Sequence, residues 1–372
     1  MKILILISSL HIGGAERHAI VAAKGLKAKG HSVSLAVLYP GGELESQLDD
    51  VPLISLNKKG RWDVAGVLIR LGKVINQTKA EIVYSFLGTS NIMGALLKPL
   101  FPSTKLAWAI LSSEMQLDNY GWATHFSYWL EARLSFLPDI IISNSHAGQE
   151  YAEKQGFPPR AMTVAENGTD ISLFKPDQTL REQIRKEWGI EPNQFLVGLP
   201  ARIDPIKGHE IFLKAAQIVA QKIDGAIFAC IGGGDSSLQA SLMEQTKGLG
   251  IESKVIWTGP RQDMPAVYNG LDLACLSSHG EGSPTVILEA MSSGIPCAAT
   301  EAGDAAILIG ETGISAPPMD YSALAEAILS MHDRIEMEPN LSSLCRKRIV
   351  DEFSLDAMLE KTEQILLKTL SS

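Results

Sequence analysis

The chain contains 372 residues, of which 45% are hydrophobic and 20% are charged, and its formal net charge is −9. This composition is typical of a folded globular protein, and the length exceeds what one hydrophobic core usually supports, so we expect two domains. The negative charge argues against a general nucleic-acid-binding protein, because that function needs a basic surface.

The sequence shows no pattern that predicts export, a disulfide framework or a membrane span. Its four cysteines are widely spaced and form no C-x-x-C pair, which favours a reduced, cytoplasmic protein. The apolar run at residues 3–7 leads directly into a glycine turn, so we interpret it as a strand rather than a signal peptide. No apolar run reaches the roughly 18–20 residues that cross a bilayer, and any membrane contact is therefore expected to be peripheral.

Short apolar runs alternate with amphipathic segments along the whole chain. In the first half we predict strands at residues 3–7, 33–38, 82–86, 106–110 and 140–143, and helices at residues 15–29, 64–78, 124–137 and 147–154. In the second half we predict strands at 195–199, 226–231, 255–257, 271–276 and 297–300, and helices at 208–221, 237–249 and 284–293. Continuous apolar strands between helices indicate parallel sheets that are covered on both faces.

This alternation predicts an α/β protein with two doubly wound, Rossmann-like domains that face each other across a cleft. The periodicity breaks at residues 167–176, where N-G-T-D is followed by K-P-D, so we place the first domain at 1–172 and the second at 173–352. Ligands of such sheets bind beyond the carboxyl ends of the strands, and the cleft is the expected site.

The segment S-S-H-G-E-G-S-P-T-V-I-L-E-A-M-S-S-G-I-P, residues 277–296, places a carboxylate inside an apolar run. Ser283 and Pro284 predict the start of a helix, with the serine as its N-cap, and the amide groups there form a site suited to phosphate. Glu289 shares a helical face with Thr285, where it could accept hydrogen bonds from ribose hydroxyls. Two ordinary interpretations stay open: a Glu281 that only complements the helix dipole, and a Glu289 on a solvated helix face.

Two further segments carry residues suited to a diphosphate. G-L-P-A-R-I-D-P-I-K-G, residues 198–208, places Arg202 and Lys207 on a loop after a strand, where they could stabilise a departing diphosphate, although an ordinary solvated loop is the alternative. Gly13 and Gly14 precede a helix and permit a close backbone approach, although plain turn glycines are the usual explanation. The sequence contains no Asp-x-Asp pair, so we expect no metal ion and no other cofactor.

Together these segments resemble glycosyltransferase family 4, retaining enzymes of the GT-B fold that use sugar nucleotides. The resemblance covers nearly the whole chain and is strongest over residues 196–318, where R-I-D-P-I-K-G, I-G-G-G, W-T-G-P-R-Q-D-M-P-A-V-Y-N-G-L-D and the two glutamates spaced eight residues apart occur in order. G-G-A-E-R near the start is similar to the members that build bacterial surface glycans. The last segment, residues 353–372, resembles a helix that returns to the first domain.

The resemblance implies a role for each matching residue. Arg202 and Lys207 would hold the donor diphosphate, Glu281 the donor sugar and Glu289 the ribose. The loop and helix start Gly282, Ser283, Pro284 and Thr285 would lie near the sugar and β-phosphate. Arg261 would approach the base, and Gly13 and Gly14 the diphosphate. These positions make Glu281, Arg202 and Lys207 the candidate catalytic residues, with no classical general base and no metal ion.

One position departs from the family pattern. Many members have a histidine after the strand that corresponds to residues 106–110, whereas this chain reads A-I-L-S-S-E-M-Q. Whether Ser112, Ser113 or Glu114 replaces that histidine stays open.

The resemblance implies transfer of a sugar from a UDP-linked donor to a glycan or lipid-linked acceptor, in polysaccharide or lipopolysaccharide synthesis. Two features are consistent with contact to the inner face of an anionic membrane: the basic residues Lys24, Lys27, Lys29, Lys58, Lys59 and Arg61, and the aromatic stretch at 120–129. Ordinary solvated lysines and core aromatic residues explain the same features equally well. The alternatives are an epimerase or hydrolase of sugar nucleotides and a non-catalytic sugar-nucleotide-binding protein.

Overall fold

The computed structural model describes residues 1–60, 62–111 and 122–372, without the side chains of residues 122–124. The chain divides into two units, Met1–Glu166 with Asp356–Ser372, and Asn167–Leu355. The first boundary lies a few residues before the predicted one. Its physical reason is a short pairing: the amide of Thr169 donates to the carbonyl of Phe353, and the amide of Leu355 donates to the carbonyl of Thr169, so both connections belong to the second unit.

Within the described residues, the first unit contains a parallel sheet of seven strands in the order β3-β2-β1-β4-β5-β6-β7. The strands are β1 (Lys2–Ile7), β2 (Ser32–Val37), β3 (Leu53–Ser55), β4 (Ile82–Phe86), β5 (Lys105–Ile110), β6 (Ile140–Ser143) and β7 (Met162–Val164). The helices between them are α1 (Gly14–Ala28), α2 (Val64–Thr78), α3 (Gly88–Leu97), α4 (Trp122–Leu134) and α5 (His146–Lys154). The sequence analysis missed β3, β7 and α3.

The continuous apolar strands are explained by burial on both sheet faces. In β1, Ile3, Ile5 and Ile7 pack in one hydrophobic cluster, whereas Leu4 and Leu6 pack in a second cluster. Successive side chains of a strand point to opposite faces, so a strand covered on both sides has to be apolar at every position.

The described part of the second unit contains a parallel sheet of six strands in the order β10-β9-β8-β11-β12-β13. The strands are β8 (Phe195–Pro200), β9 (Ala226–Ile231), β10 (Val255–Gly259), β11 (Leu273–Leu276), β12 (Cys297–Thr300) and β13 (Ile314–Ala316). The helices are α6 (Gln178–Glu187), α7 (His209–Lys222), α8 (Ser236–Gly248), α9 (Met264–Gly270), α10 (Thr285–Ser292), α11 (Ala305–Ile309), α12 (Tyr321–Met337) and α13 (Leu341–Glu352). The predicted α/β fold with two parallel sheets is confirmed.

The last helix, α14 (Leu355–Ser371), packs on the first unit. Leu366 is fully buried in the same cluster as Ile3 and Ile5. Glu363 pairs with Lys29 at 2.9 Å and with Nε2 of His31 at 2.6 Å, which anchors the helix beside α1 and β2. Among the helices in the described part of the chain, none is long and apolar enough to cross a bilayer.

Candidate functional site

A pocket of about 490 Å³ lies in the second unit, beyond the carboxyl ends of β8, β9 and β11. Parallel sheets place the ends of neighbouring strands at one edge, so the loops that follow them meet there. The residues that line the pocket include Arg202, Lys207, Arg261, Glu281, Ser283, Pro284, Thr285 and Glu289. The structure thus brings together eight of the residues that the sequence analysis selected from three separate segments.

Lys207 and Glu281 form the central ion pair of this pocket. Their Nζ and Oε1 atoms are 2.6 Å apart, and the side chains are 23% and 13% exposed. The hydroxyl of Ser278 donates to the same carboxylate oxygen at 2.6 Å. Because Glu281 is both paired and hydrogen-bonded, it is held as an oriented carboxylate, and it does more than complement the helix dipole.

Two glycines allow the loops that carry this ion pair to approach closely. Gly208 follows Lys207 with a φ of +61°, and a Cβ atom there would lie 2.1 Å from the carbonyl oxygen of Ser277. Gly303, with a φ of +58°, would place a Cβ atom 2.4 Å from the carbonyl oxygen of Glu281. Both positions combine a left-handed backbone with a contact that excludes any side chain. The glycines therefore determine where Lys207 and Glu281 are held.

The start of α10 differs from the predicted one. The helix begins at Thr285, and Pro284 is its N-cap with a φ of −70° and a ψ of 101°. Ser283 makes no capping hydrogen bond, because the extended Pro284 separates it from the first turn. The Ser283 hydroxyl is instead buried at the pocket wall without a partner among the described residues. Buried hydroxyls are normally hydrogen-bonded, so this group is available to a ligand.

Glu289 projects from α10 into the same pocket and is held by Tyr268. The Tyr268 hydroxyl donates to Oε2 of Glu289 at 2.7 Å. Burial raises the pKa of the Glu289 carboxyl above its ordinary value, and the hydrogen bond from Tyr268 offsets part of this rise. The solvated-face interpretation of Glu289 is therefore wrong, because the helix turns this side chain toward the pocket.

The two arginines of the pocket are engaged by carboxylates. Arg202 is 69% exposed and lies 3.0 Å from Asp204. Arg261 donates to both Glu187 and Asp263, with the shortest contact to each at 2.6 Å. These two hydrogen-bonded carboxylates raise the pKa of Arg261 and hold its guanidinium plane in place. Arg261 is thus a fixed cation whose edge is largely occupied.

Family models match both units of the chain. Residues 12–173 match the model described as Glycosyltransferase Family 4, and residues 194–334 match the model described as Glycosyl transferases group 1. The chain belongs to this family of glycosyltransferases. The predicted family is therefore confirmed.

Individual relatives of this glycosyltransferase are distant. The UDP-Gal:alpha-D-GlcNAc-diphosphoundecaprenol alpha-1,3-galactosyltransferase of Escherichia coli is 23% identical over 337 residues, which cover 88% of this chain and 86% of that protein. The D-inositol 3-phosphate glycosyltransferase of Corynebacterium glutamicum is 29% identical over 203 residues, 52% of this chain and 49% of that protein, so the chain spans about half the length of this relative. HepE of Anabaena, solved in complex with UDP, has a TM-score of 0.82 at 23% identity over 99% of this chain and 100% of that one, which shows the shared fold.

Three selected glycines of the glycosyltransferase, Gly13, Gly14 and Gly282, do not line this pocket. Gly13 is the extended N-cap of α1, and Gly14 is its first residue, where a Cβ atom would meet nothing within 4 Å. The fold of the first unit therefore does not require glycine at position 14. Gly282 is in the loop before α10, and its carbonyl accepts from the amide of Asp304 at 2.8 Å. Arg61, Ser112, Ser113 and Glu114 lie outside the described residues.

Sequence reasoning missed the residues that position the predicted ones. Tyr268 and Ser278 each donate to a pocket carboxylate, and Glu187 and Asp263 fix Arg261. A buried tyrosine needs a hydrogen-bond partner, which is the one signal that could have selected Tyr268. In the described part of the chain, no group of three or more His, Cys, Asp or Glu side chains is arranged to hold a metal ion.

Proposed function

We propose that this glycosyltransferase moves a sugar from a UDP-linked donor to a hydroxyl of a glycan or lipid-linked acceptor, with retention of the anomeric configuration. The observation that carries the proposal is the Lys207–Glu281 ion pair beside the first turn of α10. It combines a cation for a leaving diphosphate with a carboxylate for the sugar that leaves it. Support for a UDP donor comes from the HepE complex with UDP and from the UDP-Gal donor in the name of the Escherichia coli relative.

The charges of the pocket support the binding of a diphosphate. Lys207, Arg202 and the amide groups at the start of α10 supply the positive charge and hydrogen-bond donors that a diphosphate requires. The Ser283 hydroxyl is a further donor for a phosphate oxygen or a sugar hydroxyl. When UDP leaves, these fixed groups stabilise its developing charge without reorganisation of water. The protein supplies this charge from its own side chains, which is why we propose that transfer requires no metal ion.

The remaining roles follow from the same pocket. Glu289 accepts hydrogen bonds from the ribose through the oxygen that Tyr268 does not occupy. Arg261 also lines the pocket, and we assign it to the base, on which its fixed guanidinium plane can stack. The leaving phosphate itself takes the proton of the acceptor hydroxyl, since retention brings the acceptor to the face from which UDP departs.

We also propose that the acceptor is part of a surface polysaccharide or lipopolysaccharide precursor and that the enzyme acts at the inner face of the cell membrane. The Escherichia coli relative is named for an acceptor on diphosphoundecaprenol. On α4, Phe126 and Trp129 are 55% and 52% exposed and stack with their rings 5.8 Å apart, and Arg133 lies over the Trp129 ring. Exposed aromatic rings beside a cation are typical of a helix that contacts a membrane surface.

We assign a smaller part in membrane contact to Lys24 and Lys27 of α1 and to Lys29, which follows α1. Lys24 pairs with Asp49, Lys27 with Asp50 and Lys29 with Glu363. Each positive charge is thus compensated by a nearby carboxylate, so the aromatic face of α4 carries this part of the proposal.

The donor site is tested by calorimetry with UDP, GDP and ADP, followed by turnover of the corresponding sugar nucleotides with and without EDTA. We expect UDP to bind most tightly and its binding to weaken about tenfold or more in Lys207→Ala, because one charge-assisted contact is lost. Lys222→Ala, in an exposed ion pair of the same unit, is the matched control. Turnover that requires Mn²⁺ would contradict metal independence, and unchanged UDP affinity in Lys207→Ala would contradict the diphosphate site.

Product analysis separates transfer from the alternative reactions. An epimerase or hydrolase would convert the donor with no acceptor present, and inverted products would contradict retention.

Membrane contact is tested by sedimentation with phosphatidylethanolamine–phosphatidylglycerol vesicles. We expect the Phe126→Ser/Trp129→Ser variant to lose binding and Trp62→Ser, which replaces the 87% exposed Trp62, to retain it. Equal binding by both variants would contradict the role of α4.

A further inference from the structure

A second pocket, of about 310 Å³, lies within the first unit beyond the carboxyl ends of β4 and β5. Leu87 and Gly88 at the start of α3 form one wall, Tyr128 and Glu131 of α4 another, and Phe157 lines it as well. The size lies at the lower end of ordinary small-ligand pockets, which span about 300–1,000 Å³. This pocket occupies the sheet edge at which parallel α/β units bind ligands, and the donor machinery does not use it.

The polar centre of this pocket is a buried carboxyl group with one committed oxygen. Glu131 is only 6% exposed. Its Oε1 accepts from Nδ2 of Asn91 at 2.7 Å, and Oδ1 of Asn91 accepts from the hydroxyl of Ser85 at 2.7 Å. The serine fixes which way the amide of Asn91 points, so this chain of hydrogen bonds determines the orientation of the Glu131 carboxyl group.

The second oxygen of Glu131 is directed toward the start of α3. A Cβ atom on Gly88 would lie 2.7 Å from Oε2, so glycine is what permits the contact. Among the described residues no hydrogen bond or ion pair to Oε2 is present, whereas Oε1 is occupied by Asn91. An oxygen of a buried glutamate that has no partner among the described residues and lies at a pocket wall is suited to accept a hydrogen bond from a ligand.

The charge of the pocket restricts what that ligand can be. Within the described part of the chain, no lysine, arginine or histidine lines it. Burial raises the pKa of Glu131 to about 7, and the hydrogen bond from Asn91 opposes that rise. An anionic ligand would therefore meet a partly ionised carboxyl group with no lining cation to compensate, in surroundings where charges interact strongly.

The backbone beside the pocket is held in a strained conformation. Leu87 has a φ of +68° and a ψ of 153°, a region that residues with a side chain rarely adopt. Such conformations cost about 1–3 kcal/mol and persist where the surrounding structure imposes them, often at binding sites. Here the turn presents the first residues of α3 to Glu131 and to the pocket.

We propose that this pocket binds a neutral, hydroxyl-bearing ring of the acceptor, and that Glu131 accepts a hydrogen bond from one of its hydroxyls and excludes anionic rings. Tyr128 and Phe157 line the pocket and supply apolar surface on which the C–H face of a pyranose can pack. Glu131 is thus a specificity-determining residue. The inference rests on the proposed function, because it assigns the acceptor of that reaction to this pocket.

The test measures the binding of neutral and anionic sugars to the full chain by saturation-transfer NMR. The neutral probes are the methyl α-pyranosides of glucose, galactose and N-acetylglucosamine, and the anionic probes are glucose 6-phosphate and glucuronate. UDP is present at saturation to fill the nucleotide part of the donor pocket, and only probe binding that Glu131→Gln changes is assigned to the pocket of the first unit. We expect at least one neutral pyranoside to bind about tenfold more tightly than either anion.

Glu131→Gln is the decisive variant, because it keeps the shape of the side chain and removes its charge. We expect the affinity of the neutral pyranoside to fall about fivefold and the preference for neutral over anionic probes to fall about tenfold. A purely structural role would weaken all probes equally and leave that preference unchanged. Glu150→Gln, an exposed glutamate of α5, is the matched control and should behave as the wild type.

The outcomes separate this inference from the proposed function. Failure of the wild type to bind UDP in calorimetry overturns the proposed function, whatever the probes do. If UDP binds but no neutral pyranoside does, or if Glu131→Gln leaves the preference unchanged, the acceptor pocket alone is overturned. Hydrogen exchange of peptides from α3 and α4 that stays as slow in Glu131→Gln as in the wild type shows that the first unit of the variant is folded.

Discussion

The two units of this glycosyltransferase place a pocket at the same edge of a parallel sheet but line it with different charged groups. In the second unit, Lys207, Arg202 and Arg261 line the pocket, and each is matched by a carboxylate. In the first unit, the described lining contains one carboxyl group and no cation. The fold therefore determines where a ligand can bind, and the loops after the strands determine what charge it can carry.

The two pockets also hold their carboxyl groups in different ways. Glu281 pairs with the cation of Lys207 and accepts a hydrogen bond from the Ser278 hydroxyl. Glu131 has only an amide partner in the described structure, and burial raises its pKa. Opposite charge favours ionisation, whereas burial opposes it, so one group suits electrostatic stabilisation and the other suits recognition of neutral hydroxyls.

The largest expected effect tests whether the reaction takes place at the paired carboxylate. Glu281→Ala should lower transfer about 100- to 1,000-fold, the usual cost of removing a group that stabilises a transition state. Calorimetry should show UDP binding at least as tightly as in the wild type, because Lys207 loses its competing partner. Glu210→Ala, at a neighbouring carboxylate that does not line the pocket, should keep its activity. Full transfer activity in Glu281→Ala would show that the reaction does not depend on the paired carboxylate of the second unit.

A smaller effect tests whether Glu131 is buried without a compensating charge. Its folded pKa of about 7 lies above its ordinary value of 4.5, so the folded state binds more protons and becomes less stable as the pH rises between these values. The full penalty, reached above pH 7, is about 3.5 kcal/mol at most, from about 1.4 kcal/mol for each pKa unit.

Glu131→Gln should therefore raise the free energy of unfolding more at pH 8 than at pH 4. The measurement is the free energy of unfolding in urea at both pH values, with hydrogen exchange of peptides from α3 and α4 as the local probe. Glu150→Gln, on the surface of the same unit, should show no such pH dependence. A pH-independent effect of Glu131→Gln would show that burial does not raise the pKa of this carboxyl group.

The smallest effect tests the positioning of Glu289. Tyr268→Phe removes one hydrogen bond to this carboxyl group and should weaken UDP binding about threefold to tenfold, since a typical intramolecular hydrogen bond contributes about 1 kcal/mol. Discrimination between UDP and 2′-deoxy-UDP should fall as well, as it should in Glu289→Gln. A loss of stability with unchanged discrimination would make Tyr268 a core residue only.

The sequence predicted more residues of the pocket in the second unit than of the pocket in the first unit. Residues 198–208 and 277–296 each follow a strand and precede a helix, so their functional side chains had to lie at one sheet edge. Glu131 could not be selected in this way, because it lies mid-helix in α4, and its partner Asn91 belongs to α3, a helix that the sequence analysis did not predict.

By itself the sequence determined the family, the two parallel sheets and eight residues of one pocket, because these depend on local periodicity and on short segments. Only the tertiary structure decided which groups are paired. It joined Lys207 to Glu281 across β8 and β11, released Ser283 from its expected capping role, and buried Glu131 beside Asn91. These outcomes depend on distances between residues far apart in the chain, which packing sets and no local pattern encodes.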